Sequence, residues 1–264
     1  MASSIKERLK RIQSTLDCEA DGVLGHITLD AIDQALGINS RLQPAATTGT
    51  LGLTLTKSGI DTLIGFEVSS REYYQHYLQS PTWPGGQSGI TIGIGYDIGY
   101  CHEADLRRDW GTRLNSDSLD QLASCCQLTG RQASQQRNKL KHLQIPWQAA
   151  VDVFTRTSIP HYGRLLLTTY PGVEQLPPAT QTALLSLVYN RGTALEGNNR
   201  EEMSLIRELV QQQDCDRIAA QIIAMKSIWA GRGLAGLLKR RDAEAAMILS
   251  GNGQSYHDDE LIHV

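Results

Sequence analysis

The chain has 264 residues, enough for one large domain or for one of about 200 residues beside a small module. Charged residues at 20% and hydrophobic residues at 41% exclude wholesale disorder. A net charge of −3, with no basic block beyond Lys239-Arg240-Arg241, leaves nucleic-acid binding without electrostatic support. The five cysteines include an adjacent pair and no CxxC spacing, which argues against a disulfide framework or a zinc site. The histidines form no HxxxH pair, so neither a metal nor a cofactor is expected. No apolar run reaches the length of a membrane span and the first residues lack a signal peptide's apolar region, so synthesis in the cytoplasm is expected.

In chain order, Ile5, Leu9, Ile12 and Leu16 form an apolar helical stripe. The turn Asp21-Gly22-Val23-Leu24-Gly25 follows. Thr28 then caps a second short helix through Leu29, Ile32 and Leu36, stopped by Gly37. These residues resemble half of a peptidoglycan-binding module, which assigns residues 1–38 to a small helical wall-binding unit. Residues 39–57 are rich in Thr, Gly and Ala and read as a linker, although their second half also reads as a short strand.

From Ser58 a helix is expected to about residue 68, then a glycine-rich sheet over about 86–100, then helices to about 250. Residues 251–264 read as a polar, frayed tail. The fold class is α+β: a mainly helical domain over 58–250 with a small sheet near its start. In that sheet Ile90, Ile92, Ile94 and Tyr96 share one face. Gly89, Thr91, Gly93, Gly95 and Asp97 share the other, a nearly bare face suited to close approach of a flat ligand. On the preceding helix, Ile60, Leu63, Ile64 and Glu67 follow i, i+3, i+4, i+7 spacing. A carboxylate on an apolar face is expected to have a raised pKa, as a general acid requires.

This order of segments resembles the phage-type lysozymes. That family has a glutamate late in its first helix and a Thr-Ile-Gly-Ile-Gly segment on a small sheet, matched here by Glu67 and Thr91-Ile92-Gly93-Ile94-Gly95. Ala183–Gly192, with Tyr189-Asn190-Arg191-Gly192, is similar to the family's helix ending in an aromatic-Asn-x-Gly turn. Gly233–Glu244 is similar to its Gly-Leu-x-x-Arg-Arg-x-x-Glu helix. The matches span about residues 60–248. The common phage enzymes place a second carboxylate six residues before the threonine, where this chain has Gly85. The pesticin-like members place it after, where this chain has Asp97.

The resemblance implies a muramidase that cuts the β-1,4 bond between N-acetylmuramic acid and N-acetylglucosamine. Glu67 would be the general acid, Asp97 the base or stabilising anion, and Thr91 the holder of the attacking water. Six extended residues span about 20 Å, so Gly93 and Gly95 must turn the strand back; otherwise Glu72 and Asp61 are the alternative carboxylates. Tyr73, Tyr74, Trp83, Tyr100, Gln87, Gly93, Gly95, Asn190 and Arg191 are the expected substrate-binding residues, with Ser88 beside them and Arg241 orienting Glu67. No nucleophile elbow occurs. The alternatives are a non-catalytic peptidoglycan-binding protein and a lytic transglycosylase. The expected partner of the monomer is the glycan strand, reached in the periplasm or at the wall through a secretion system or a holin. An effector of this kind implies an immunity protein.

Overall fold

The computed structural model describes residues 5–15 and 50–264. Its elements in order are α1 (Ile5–Thr15), β1 (Thr54–Thr56), α2 (Lys57–Val68), α3 (Arg71–Tyr73) running into a π-helical turn (Tyr74–Leu78), β2 (Thr91–Ile92) and β3 (Tyr96–Asp97). Then come α4 (Glu103–Trp110), α5 (Ser116–Ala123), α6 (Gly130–Leu140), α7 (Trp147–Val153), α8 (Ile159–Thr169) and α9 (Pro178–Arg191). The chain finishes with α10 (Glu201–Gln211), α11 (Cys215–Ala224), α12 (Ala235–Gly251) and β4 (Leu261–His263). It is mainly helical with very small sheets, an α+β arrangement. No helix among the described residues is long and apolar enough to cross a membrane.

Two compact units divide the chain, one holding 70–157 with α1, the other 46–69 with 158–264. Residues 70–157 fall in the first unit, and 58–69 with 158–250 in the second. Of the expected wall-binding module only α1 lies within the described residues, with its Ile12 exposed.

The hairpin β2–β3 organises the first unit. Thr91 pairs with Asp97 and Ile92 with Tyr96, because Gly93 (φ 58°) and Gly95 (φ 71°) take left-handed conformations around Ile94. Thr82 adds a bridge on the outer side of Thr91. Ile90, Ile92, Ile94 and Tyr96 are all buried, so the predicted core face is the observed one. Tyr96 packs edge-on against Trp110 and donates to Asp109 Oδ2 at 2.9 Å.

The second unit is built on α9, whose residues Ala179 to Val188 are all buried. A helix surrounded on every side has no apolar stripe to read. Its polar side chains are spent on neighbours. Gln181 Oε1 accepts from Thr54 N at 2.8 Å and Thr182 Oγ1 from Thr56 N at 2.9 Å, which fixes β1 against it. Thr56 also caps α2 by accepting from Gly59 N. Gly59 is bare because a side chain there would meet Thr182, Thr56 and Met247 within 3 Å. β1 pairs antiparallel with β4, Thr54 opposite His263 and Thr56 opposite Leu261. The tail is therefore not frayed: Leu261 and Ile262 close a two-stranded sheet, and Val264 and Leu53 exchange backbone hydrogen bonds. Residues 51–57 are likewise packed structure rather than linker, with Leu53 and Leu55 buried. Residues 39–49 lie outside the described ones.

Candidate active site

Glu67 sits in the last turn of α2, one helical face on from Ile60, Leu63 and Ile64, which are buried. Its side chain is 14% exposed. The face is not purely apolar, because Arg240 of α12 donates through Nη1 to Glu67 Oε1 at 2.7 Å. Arg240 also donates to Ser186 of α9, through Nη2 to its carbonyl and through Nε and Nη2 to its hydroxyl, at 3.1–3.2 Å. Its guanidinium carbon lies 5.3 Å from the Phe66 ring centre and 6.0 Å from that of Tyr189.

Behind this pair stands a second one. Glu244 is 1% exposed and accepts from Ser186 Oγ at 2.6 Å, Arg240 Nε at 3.3 Å and Arg241 Nη2 at 2.8 Å, while Arg241 Nε lies 2.7 Å from its other oxygen. Arg241 reaches on to Asn190 Oδ1 at 3.3 Å. Two guanidiniums and two carboxylates form a charge-balanced buried array around one serine. Buried charges persist only when paired and hydrogen-bonded in this way. Burial pushes the Arg241 guanidinium below its ordinary value, with Glu244 opposing. The sequence reading has Arg241 orienting Glu67. Instead Arg240 holds Glu67, and both arginines are buried. Ser186, Arg240 and Glu244 escape that reading as site residues. Their signal is the helical phase: Arg241, Ala245 and Ile248 share a face, which turns Arg240 and Glu244 inward with them.

In the other unit the hairpin answers how Asp97 returns toward Thr91: the two stand directly opposite in the ladder, as neighbours across an antiparallel pair. Thr91 is half-buried. Asp97 is buried, its Oδ2 accepting from Gly89 N at 3.1 Å and its Oδ1 from Gly99 N at 2.9 Å. The bare face owes much to internal packing. A side chain on Gly89 would overlap Asp97 and the Gly99 backbone, and one on Gly93 would lie 2.8 Å from Trp110. Gly95 is exposed at the turn.

The aromatic candidates divide. Tyr74 belongs to the core, fully buried, donating to the Ile145 carbonyl at 3.0 Å with its ring edge-on to Trp147. Tyr73 is 45% exposed and lies against Tyr77, which the sequence reading does not single out as a ligand. Trp83 Nε1 donates to the Ser88 carbonyl, and the Tyr100 hydroxyl to the Gln87 carbonyl at 2.7 Å. These bonds brace the loop before β2, leaving the Gln87 side chain exposed and Ser88 buried. Asn190 and Arg191 are half-buried in the last turn of α9. The alternative carboxylates Asp61 and Glu72 are both exposed; local backbone and Ser70 hydrogen bonds hold Glu72 below the usual carboxylate value.

Comparison with known proteins adds one match. A family model described as "Domain of unknown function (DUF8812)" covers residues 62–163. The match takes in Glu67, Thr91 and Asp97 and leaves out Ser186, Arg240 and Glu244. No curated protein matches the chain.

Proposed function

We propose that the protein is a muramidase of the phage-type lysozyme family, a peptidoglycan hydrolase in which Glu67 protonates the glycosidic oxygen between N-acetylmuramic acid and N-acetylglucosamine. The observation that carries the reading is the partly exposed Glu67 carboxyl held at 2.7 Å by a buried guanidinium, on the helix that precedes the small β2–β3 hairpin as in that family's order of segments. Arg240 is itself fixed by Ser186 and Glu244, so the carboxyl is positioned before substrate arrives. Asp97, with both oxygens engaged by backbone N–H groups, suits the role of a fixed anion better than that of a mobile base. Thr91 carries the hydroxyl for the attacking water. The protein reaches the wall through a secretion system or a holin, and as an effector it would be held in check by an immunity protein.

The engagement of Asp97 favours keeping one second reading, a lytic transglycosylase in which Glu67 acts as the one carboxyl. Clearing of purified cell walls by the wild type, and its loss in Glu67→Gln, tests the shared premise. A Glu67→Gln protein that clears walls at the wild-type rate overturns both readings. Mass spectrometry of the released fragments separates them: reducing muramic acid ends mean hydrolysis, anhydro-muramyl ends mean transglycosylation.

A further inference from the structure

Arg191, the last residue of α9, and Arg200, which precedes α10, meet at one sulfur. Arg191 Nε lies 3.4 Å and Arg200 Nη1 3.1 Å from Met203 Sδ. Arg200 Nη1 also donates to the Arg191 carbonyl at 2.7 Å, and Arg191 Nη2 to that of Asn199. The Arg191 guanidinium lies over Trp229, 4.9 Å from the ring centre, and Arg241 approaches the same ring at 5.8 Å. Three cations therefore share one neighbourhood.

Arg241 is paired with Glu244, but the charge of Arg191 and Arg200 is not balanced locally. Among the described residues neither Arg191 nor Arg200 has a carboxylate within ion-pair distance, and Glu244 beside Arg241 is already shared with Arg240. Glu202 acts on Arg191 only from further away. Burial pushes all three guanidiniums below their ordinary value, and on Arg191 the charges of Arg200 and Arg241 push the same way. Capping the C-terminus of α9 explains the bond from Arg200 to the Arg191 carbonyl. It does not explain why Arg200 keeps Nε and Nη2 without a hydrogen bond among the described residues, or why a second guanidinium is brought against the first. The Tyr170 hydroxyl, within electrostatic reach of all three guanidiniums, and Arg241 Nη1 are buried with no hydrogen-bond partner. Unspent donors in a surplus of positive charge are what a bound anion completes, and the planar fork of arginine fits carboxylate and phosphate.

We infer that Arg191, Arg200 and Trp229 form an anion-binding site for a carboxylate or phosphate group. The site rests on this geometry. Only the identity of its natural ligand as the free carboxylate of a wall stem peptide rests on the muramidase reading.

The test is thermal unfolding and calorimetric titration of the full chain with inorganic phosphate, and separately with an acidic dipeptide and its amidated, uncharged counterpart, against sodium chloride at equal ionic strength. Phosphate stabilises many proteins by exclusion from their surfaces, so the comparison between variants is the readout. Phosphate or the dipeptide should raise the melting temperature of the wild type. The rise should be lost in Arg191→Gln and in Arg200→Gln and kept in Lys239→Gln, an exposed charge on α12. Arg200→Lys, which keeps the charge but not the fork, guards against a folding defect and should retain a reduced response. A response to the dipeptide but not to its amide supports the peptide source. A response to phosphate alone supports the site and rejects that source. Equal responses of wild type and both glutamine variants, or no response to either anion, overturn the proposal. Binding is read without catalysis, so a loss of wall clearing in Glu67→Gln stands or falls separately.

Discussion

Glu244 and Glu67 both lean on Arg240, yet their neutralisation should differ several-fold in cost. Glu244 is 1% exposed, and both of its oxygens face donors: Ser186, Arg240 and Arg241 on one, Arg241 Nε on the other. In Glu244→Gln, either orientation of the amide turns an NH₂ group toward a guanidinium, and Arg241, fully buried, loses its one close counter-charge. Removing one partner of such a pair costs about 3–5 kcal/mol. Glu67 is 14% exposed, and Arg240 keeps Glu244 and Ser186 when Glu67 is neutralised. In Glu67→Gln the amide still offers an oxygen to Arg240 Nη1, so the loss is the charge assistance of one hydrogen bond, about 1 kcal/mol. Urea unfolding resolves the difference. With a slope of about 3 kcal/mol per M, Glu244→Gln should lower the midpoint by roughly 1–1.7 M and Glu67→Gln by under about 0.5 M. A Glu67→Gln variant as destabilised as Glu244→Gln would refute the view that Glu244 is the structural anchor and Glu67 the group it positions.

Three further outcomes are expected. Gly89→Ala forces a methyl into Asp97 Oδ1 and the Gly99 backbone and should cost on the order of 3 kcal/mol in the same assay; a near-neutral result would mean that the Asp97 cradle is looser than described. Cys101 Sγ and Cys126 Sγ lie 3.9 Å apart as free thiols, and the hydrogen bond from Cys101 holds the Cys126 thiol below its ordinary value. Oxidised glutathione should therefore be attacked by Cys126 and displaced by Cys101, leaving a disulfide and two glutathione thiols. The bond closes a loop of 25 positions, worth about 3 kcal/mol; peptide mapping that finds no Cys101–Cys126 link refutes this. Burial, with the Arg164 charge behind it, holds the His161 imidazole below its ordinary value. The unfolded chain then takes up a proton near pH 6.5 that the folded chain refuses. Stability is full above that pH and falls as pH drops through it, so the urea midpoint should decline from about pH 7.5 to about pH 5.5 more steeply in the wild type than in His161→Gln.

The sequence made parts of this legible and hid others for identifiable reasons. Alternation placed Ile90, Ile92, Ile94 and Tyr96 on the core face, and two glycines around Ile94 were enough to suspect the turn. The same alternation could not say why Gly89 is bare, because its neighbour is Gly99, brought near only once the hairpin closes. Spacing set Glu67 on the apolar face of α2 but said nothing of Arg240, which is 173 positions away. β1 and β4 have three residues each and no local signal strong enough to pair them. In α9 the buried polar residues Gln181, Thr182 and Ser186 blur the amphipathic pattern while carrying the contacts that matter.

The unit that carries Glu67 is assembled from two stretches of chain, with β1 and β4 joined across 209 positions. During synthesis α2 emerges with its apolar face uncovered, and Arg240 follows only after about 10–35 s at ordinary elongation rates. The stretch 70–157 has that interval in which to close on its own contacts, while the other unit waits for α9 and α12. Glu67 acquires its guanidinium among the last events of folding. On the proposed function, a nascent or prematurely ended chain is a muramidase without a positioned proton donor.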